Sequence, residues 1–299
     1  MKLLPKKGSG TFIAIKRLAI LVLAVLMAYQ SISQVNKFRS VQSGTWTSLA
    51  TWEMSTDGTN WIAASHFPDY LDGAIVIRNG HEIAWNRMFS ELRDENGNVI
   101  SAVDDLVVES GALLIVNTPY SMIIGLPETE GTGITINGTL ELNTASIECN
   151  YPLIINGVLN VSAGGVSGGL VVINSTGTLN ATGPGGKGFM FMENYGTVNL
   201  DQGQVYFSGV PVNYATWNDR TPDVISSVNG FTNNGVNTRF GGSRFYEGVY
   251  YNGTGMLSGF GDIEFSNATT VIDKISPGAP FGMLELKSLQ PIATMELNI

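Results

Sequence analysis

Residues able to do chemistry are few in this chain and stand far apart. There are two histidines, His66 and His81. His81 falls in a predicted strand region beside Glu82, so it could serve as a base with a carboxylate to orient it. The plainer reading is a structural histidine at a corner of the chain. No Cys and His cluster has metal-ligand spacing, and no Gly-x-Ser-x-Gly stretch presents a nucleophile, so zinc and triad chemistry are poorly supported. A polysaccharide lyase or glycosidase would need carboxylates, or calcium with a Lys or Arg, on one outer face. The carboxylates open to that role are Asp104, Asp105, Glu109, Glu141 and Asp201, and no trio of them recurs at a constant spacing. Trp217, followed by Asp219 and Arg220, is the best single place for the wall of a groove. The candidate ligand-binding residues are therefore Trp217, Asp219, Arg220 and Glu141, with no catalytic residue and no metal set assigned. Asp69 and Asp72 are the candidates for calcium. They lack the dense spacing of an EF-hand loop and read first as turn residues ahead of a strand.

Two further features carry less. Cys149 is the one cysteine, which excludes an intrachain disulfide. Its setting, Ile147-Glu148-Cys149-Asn150-Tyr151, reads as a buried core thiol. The stretch 183–188 is glycine-rich and contains Lys187, but no helix follows and no Ser or Thr follows the lysine. A phosphate-binding loop is rejected.

The elements that must position these residues repeat. Gly138, Gly157, Gly177 and Gly196 are spaced by 19, 20 and 19 residues. Two residues after each comes Leu140, Leu159, Leu179 or Val198. Four after comes Leu142, Val161, Ala181 or Leu200. Between these apolar positions stand Glu141, Asn160, Asn180 and Asn199. Alternation of this kind makes a strand with one buried and one wet face, and a near-constant period makes a solenoid. One coil cannot bury its inner face alone; stacking the coils builds a continuous core. The fold class is therefore all-β, a right-handed parallel β-helix with coils of about 19–20 residues. Asn-Gly recurs at Asn79-Gly80, Asn137-Gly138, Asn156-Gly157 and Asn234-Gly235, which suits corners where the backbone takes positive φ. The outward Asn row reads as a solvated face, with a ligand-binding surface as the alternative. An ice-binding face would need a regular threonine row, and Val158 interrupts Thr139, Thr178 and Thr197.

Residues 1–34 read as a secretory signal. Lys2, Lys6, Lys7, Lys16 and Arg17 precede an apolar run over 18–28, too short to span a bilayer, and Ser31 and Ser33 suit cleavage after Ser33. Removing them leaves 11 Lys and Arg against 25 Asp and Glu, a net charge of −14. An acidic exterior argues against nucleic acid, which wants a basic stripe. Residues 35–73 gather Trp46, Trp52 and Trp61 into an N-terminal cap over the open end of the solenoid, which runs over 74–265. Insertions are expected at 86–102 and 212–227. In the second coil, Leu113 and Ile115 are expected in the inward register. Residues 266–299 form a strand-like tail, expected to be truncated, to pair back on the ladder, or to meet a partner.

The order Ser43-Gly44-Thr45-Trp46, Thr51-Trp52, Pro68, Asp72-Gly73 and Val76-Ile77 through Gly80-His81 resembles the opening of secreted surface proteins of the Bacteroidetes. It is similar to G8-type domains, which lead into a β-helix. The likeness covers about residues 43–85, with 104–265 resembling generic right-handed β-helix sequence. The segment 53–67 is longer than the usual loop, and 86–102 is a polar insertion. The resemblance implies an extracellular protein, among whose secreted relatives are carbohydrate-active enzymes.

Together these features point to a secreted or outer-surface structural or adhesive scaffold. The alternative is a polysaccharide-active enzyme or carbohydrate-binding module. Its expected partners are extracellular polysaccharide or other surface proteins, with no nucleic acid and no transmembrane span in the mature chain. No cofactor is expected beyond the calcium candidate.

Overall fold

A computed structural model describes residues 35–69, 72–87, 103, 105–117, 122–124, 133–220, 225–227, 231–246, 251–252, 254–265, 271–277, 284–288 and 294–297. The expected signal at 1–34 and most of the expected insertion at 86–102 lie outside these residues. Among the described residues there is no α-helix, and one short 3-10 turn occurs at Leu49–Thr51. The rest is strand and turn, and from Ile75 onward the strand pairs are parallel. The chain is a parallel β-solenoid.

Each regular coil has three sides. In one, Ser146–Cys149 lies on the first side, Leu153–Ile155 on the second and Val158–Val161 on the third. The first two sides belong to one hydrogen-bonded sheet and the third to another. Alternation drives the packing. Leu140, Leu159, Leu179 and Val198 stack in register, and the column extends back to Leu114 and Ile83 and forward to Trp217. All seven side chains are fully buried. Burial of each aliphatic side chain contributes about 1.5–3 kcal/mol before the entropy of ordering is set against it.

The register of the second coil differs from expectation by one residue. Leu114 and Val116 face inward, while Leu113 and Ile115 pair with Thr139 and Glu141 on the outer face. Gly111 has a φ of 79° and sits in a longer corner, 109–112, so the count from that glycine was off by one. A slip of one residue turns a whole strand over.

The corner glycines differ from expectation too. Gly138, Gly157, Gly177 and Gly196 do not take positive φ. They are small because the coils approach closely there. A Cβ at Gly157 would fall on the carbonyl oxygens of Asn137 and Gly138, and one at Gly196 on those of Asn174 and Gly177. Positive φ is found at Gly80 and Gly111, inside the longer corners.

Within the expected insertion at 212–227, the described strands belong to the ladder. Val212–Asn213, Thr216–Asp219 and Ile225–Ser227 occupy the three sides of the ladder, each paired in parallel with the coil before. The ladder also continues past 265: Val271–Pro277 and Leu284–Ser288 pair with Met256–Phe265, and Thr294–Leu297 pairs with Val271–Pro277.

The N-terminal strands run differently. Lys37–Ser40 joins the first coil in parallel through Ile75 and Val76, and Trp52–Ser55 and Ile62–Ala63 extend the sheet antiparallel. Trp46 packs edge-on against Trp52 and Trp85, with ring centroids 5.1 and 4.9 Å away. Trp46 Nε1 donates to the Pro68 carbonyl and Trp52 Nε1 to that of Trp46, at 3.0 and 2.8 Å. Trp61 is part-exposed beneath the Arg39 guanidinium.

Candidate functional site

The four candidate ligand-binding residues do not form one site. Trp217 is fully buried between Phe207 and Phe231, at centroid distances of 5.7 and 4.9 Å, and cannot offer its face to a sugar. Asp219 is also buried, in the inward position that Leu142, Val161 and Leu200 hold in earlier coils. Arg220 is exposed just beyond it. Glu141 lies on the outer face four ladder steps away, roughly 19 Å at the usual inter-strand spacing. The signal that places Trp217 inside was in the spacing: it stands 19 residues after Val198, its ladder partner. The corner before it reads Tyr214-Ala215 where others read Asn-Gly, which hides the coil.

The remaining candidates are held by neighbours. The buried Asp72 carboxylate accepts from Asn36 Nδ2 at 3.3 Å and the Asp69 backbone N–H at 2.9 Å, and meets His66 Nε2 at 3.2 Å. Asp69 faces Arg87 at 3.5 Å. No group of three or more His, Cys, Asp or Glu suited to a metal occurs among the described residues. His81 Nδ1 lies 2.7 Å from the buried Ser40 Oγ, which also accepts from the Arg78 N–H; His81 is thereby tied to the strand below. Lys187 is buried, and its ammonium donates to the carbonyls of Gly183, Gly185 and Gln202. The glycine-rich stretch curls its carbonyls onto a cation, the opposite polarity from a phosphate loop. Burial pushes the Cys149 thiol up to about 11, and Sγ donates to the Tyr151 carbonyl at 2.8 Å.

Two surfaces stand out. On the outer face of the third side, Asn180 Nδ2 donates to Asn160 Oδ1 at 3.0 Å, Asn199 to Asn180 at 2.9 Å and Asn218 to Asn199 at 2.9 Å. Thr178, Thr197 and Thr216 form the neighbouring column. The result is a regular, uncharged polar face whose side chains bond along the stacking direction.

The second surface is on the first side. Gly165 and Gly188 sit in one outward column between Ser146 and Tyr206. With two side chains missing, the sheet is dented by about 160 Å³, and Ser167, Met190 and Ser208 border the dent. Next to it, the strand Gly164–Ile173 bulges: Val166 pairs with Phe189 and Leu170 with Phe191. Bulges of this kind often re-aim side chains beside binding sites. Phe191 and Tyr206 stand out from the surface, 46% and 44% exposed. At the nearest corner, Tyr195 and Tyr214 stack with centroids 4.7 Å apart, and the Tyr195 hydroxyl donates to Glu193 Oε2 at 3.0 Å. That hydrogen bond to the carboxylate raises the Tyr195 phenol above its ordinary value. The dent was hidden in the sequence because its column is made by residues from different coils across a bulge.

Comparison with protein-family models, curated proteins and solved structures finds no match. Among the described residues, no helix is long and apolar enough to cross a membrane.

Proposed function

We propose that this chain is an exported structural scaffold, a stalk or display body on a cell surface that the G8-like opening starts. The observation that carries this reading is the amide column on the third side. Each coil from Val158–Val161 to Thr216–Asp219 is bonded to the next twice, by backbone ladder and by Asn side chain. Stacked amides of this type add to ladder cohesion. Such a face resists slippage between coils without metal or disulfide, which suits a body that bears tension or holds other modules at a distance. Surface loops would then carry any partner specificity.

The test is force spectroscopy on the full chain held by its ends, paired with product-release assays on acidic and neutral polysaccharides, with and without calcium. Stepwise unfolding in units of one or a few coils, with no release of sugars, is the expected result. Release of reducing or unsaturated ends would replace the scaffold with an enzyme.

A further inference from the structure

We propose that the dent at Gly165 and Gly188, close to Tyr206 and Phe191, binds a ring of a neutral polysaccharide. This goes beyond the scaffold reading and does not depend on it. Among the described residues, the exposed aromatic side chains are Phe191, Tyr195, Tyr206 and Tyr214, all on two consecutive coils. Trp46, Trp52, Trp85 and Trp217 are buried in the core, and Trp61 is part-exposed beneath Arg39. Four exposed aromatic rings on two consecutive coils leave apolar surface where a partner can cover it.

The geometry of the patch selects the ligand. Its floor is the backbone at Gly165 and Gly188, and Gly188 has no atom within 4 Å of where a Cβ would stand, so the space above it is open. Tyr206 is the register partner of Gly188 on one side. Phe191 stands beyond Ser208, its ring lying over Gly209. Met190 in the lining and the exposed Tyr206 and Phe191 rings nearby give apolar surface beside a few hydroxyls, which matches a sugar ring, apolar on its C–H faces and polar at its edge. Ser146, Ser167 and Ser208 supply those hydroxyls. At about 160 Å³ the dent is smaller than the ~300–1,000 Å³ of a small-molecule pocket and opens along the sheet, so it fits one unit of an extended chain.

Charge removes the anionic sugars. No Lys or Arg borders the dent, and the nearby Lys187 has its ammonium turned inside against three carbonyls. Glu148 is exposed on the strand that carries Ser146, and Glu193 follows Phe191 on the outward face. An anionic glycan would meet carboxylates without a counter-charge.

The experiment is affinity electrophoresis of the full chain through gels containing a β-1,3-glucan, a xylan, a galactomannan or soluble starch, with alginate as the anionic arm. At least one neutral polymer is expected to retard the chain. Against that polymer, Gly188→Val, Phe191→Ala and Tyr206→Ala should each weaken binding tenfold or more. Ile62→Ala, which trims an exposed apolar side chain on the N-terminal strands, should leave it unchanged. Gly188→Val fills open space and the two alanines trim exposed rings, so circular dichroism should show the fold intact in all three. The proposal is overturned if no neutral polymer retards the chain, if alginate alone does, or if retention survives all three substitutions. Product release in the assays above would sink the scaffold reading while leaving this one standing.

Discussion

The coils before and after Ile173 turn the same corner in opposite ways. In the earlier coils the last inward residue of the second side is aliphatic: Ile136, Ile155, Ile173. The residue after it is a part-exposed or exposed Asn, and these amides bond along the corner, Asn156 to Asn137 at 2.8 Å and Asn174 to Asn156 at 2.7 Å. In the later coils the inward residue is Asn194, Asn213 or Asn233, each buried, and Asn194 bonds to Asn213 at 2.7 Å and Asn213 to Asn233 at 2.8 Å. After Asn194 and Asn213 the outward residues are Tyr195 and Tyr214, stacked, while Asn233 is followed by a part-exposed Asn234. At the first two of these corners polar and apolar have changed places.

The reason is where the corner N–H finds its acceptor. Gly138 and Gly157 donate to carbonyls of the coil before, at 3.1 Å to Val108 and 2.9 Å to Ile136. No side chain is needed, so the inward position can be aliphatic. Gly196 and Ala215 donate instead to the Oδ1 of Asn194 and Asn213, at 3.0 and 3.2 Å. The inward position must then carry an amide, and each amide needs a partner in the next coil because buried polar groups have to be satisfied. One local choice of acceptor thus propagates as a column.

The largest test of this contrast acts on the core around the later corners. Trp217 takes the place that Leu159 and Leu179 hold earlier, and fills it together with Phe207 and Phe231. Trp217→Ala should lose about 3–5 kcal/mol, against about 2–5 kcal/mol for Leu159→Ala. Hydrogen exchange at both sets of coils, rather than a single unfolding midpoint, is the measurement, because a repeat array need not unfold as one unit. Equal protection on both sides after either substitution would show that the two regions are not separable.

The amide column is tested next. Asn213→Leu removes the acceptor of the Ala215 N–H and the donor to Asn233 Oδ1. It also removes the acceptor of Asn194 Nδ2, and each buried group left unpaired costs about 1–3 kcal/mol. Replacing Asn194, Asn213 and Asn233 together by Ile removes both ends of each amide–amide bond and leaves the Gly196 and Ala215 N–H groups without their side-chain acceptors, so the triple variant should lose less than three times the single loss. Additive losses in chemical denaturation would show that the Asn residues act separately.

Much of the earlier region was legible in the sequence, and the reason is the same contrast. From Leu140 to Val198 the apolar alternation, the glycine and the Asn all repeat together, so period and facing could be read at once. At Trp217 the alternation persists, but Tyr214-Ala215 stands where a glycine marks the other corners, and the Ala215 N–H donates to the buried Asn213. A search keyed to glycine loses the coil there and turns a core tryptophan into a groove wall. The inward Asn194, Asn213 and Asn233 break the rule that inward positions are apolar, so a hydropathy pattern cannot assign their face. The dent at Gly165 and Gly188 is less legible still, since it depends on which residues meet across coils.

Acidity gives a probe confined to the earlier coils. The buried Cys149 thiol is raised from its ordinary 9.0 to about 11. Raising the folded value disfavours the thiolate, so the folded chain holds its proton where the unfolded chain releases it. The stabilisation is therefore whole below pH 9 and is lost as pH climbs towards about 11. The slope between those values should amount to about 2 kcal/mol at most and vanish in Cys149→Val. An unchanged slope in that variant would assign the alkaline loss to other groups.

The smallest effects come from the corner column itself, and they bear most directly on why the two regions differ. A Cβ at Gly157 would fall on backbone oxygens of the coil below. Gly157→Ala should therefore cost about 1–3 kcal/mol through overpacking. Ala215 occupies the equivalent place on the other side of the contrast, and its carbonyl and N–H lie where a Cβ on Gly235 would fall. It already carries the methyl group that Gly157 cannot. Ala215→Gly should then cost only the added freedom of the unfolded chain, about 0.4–1 kcal/mol. If corner spacing were the same in both regions, the two substitutions would be mirror images, with Ala215→Gly relieving strain and raising the melting temperature. A lowered melting temperature for both would mean that the corner at Ala215 has room for a methyl group that the corner at Gly157 lacks.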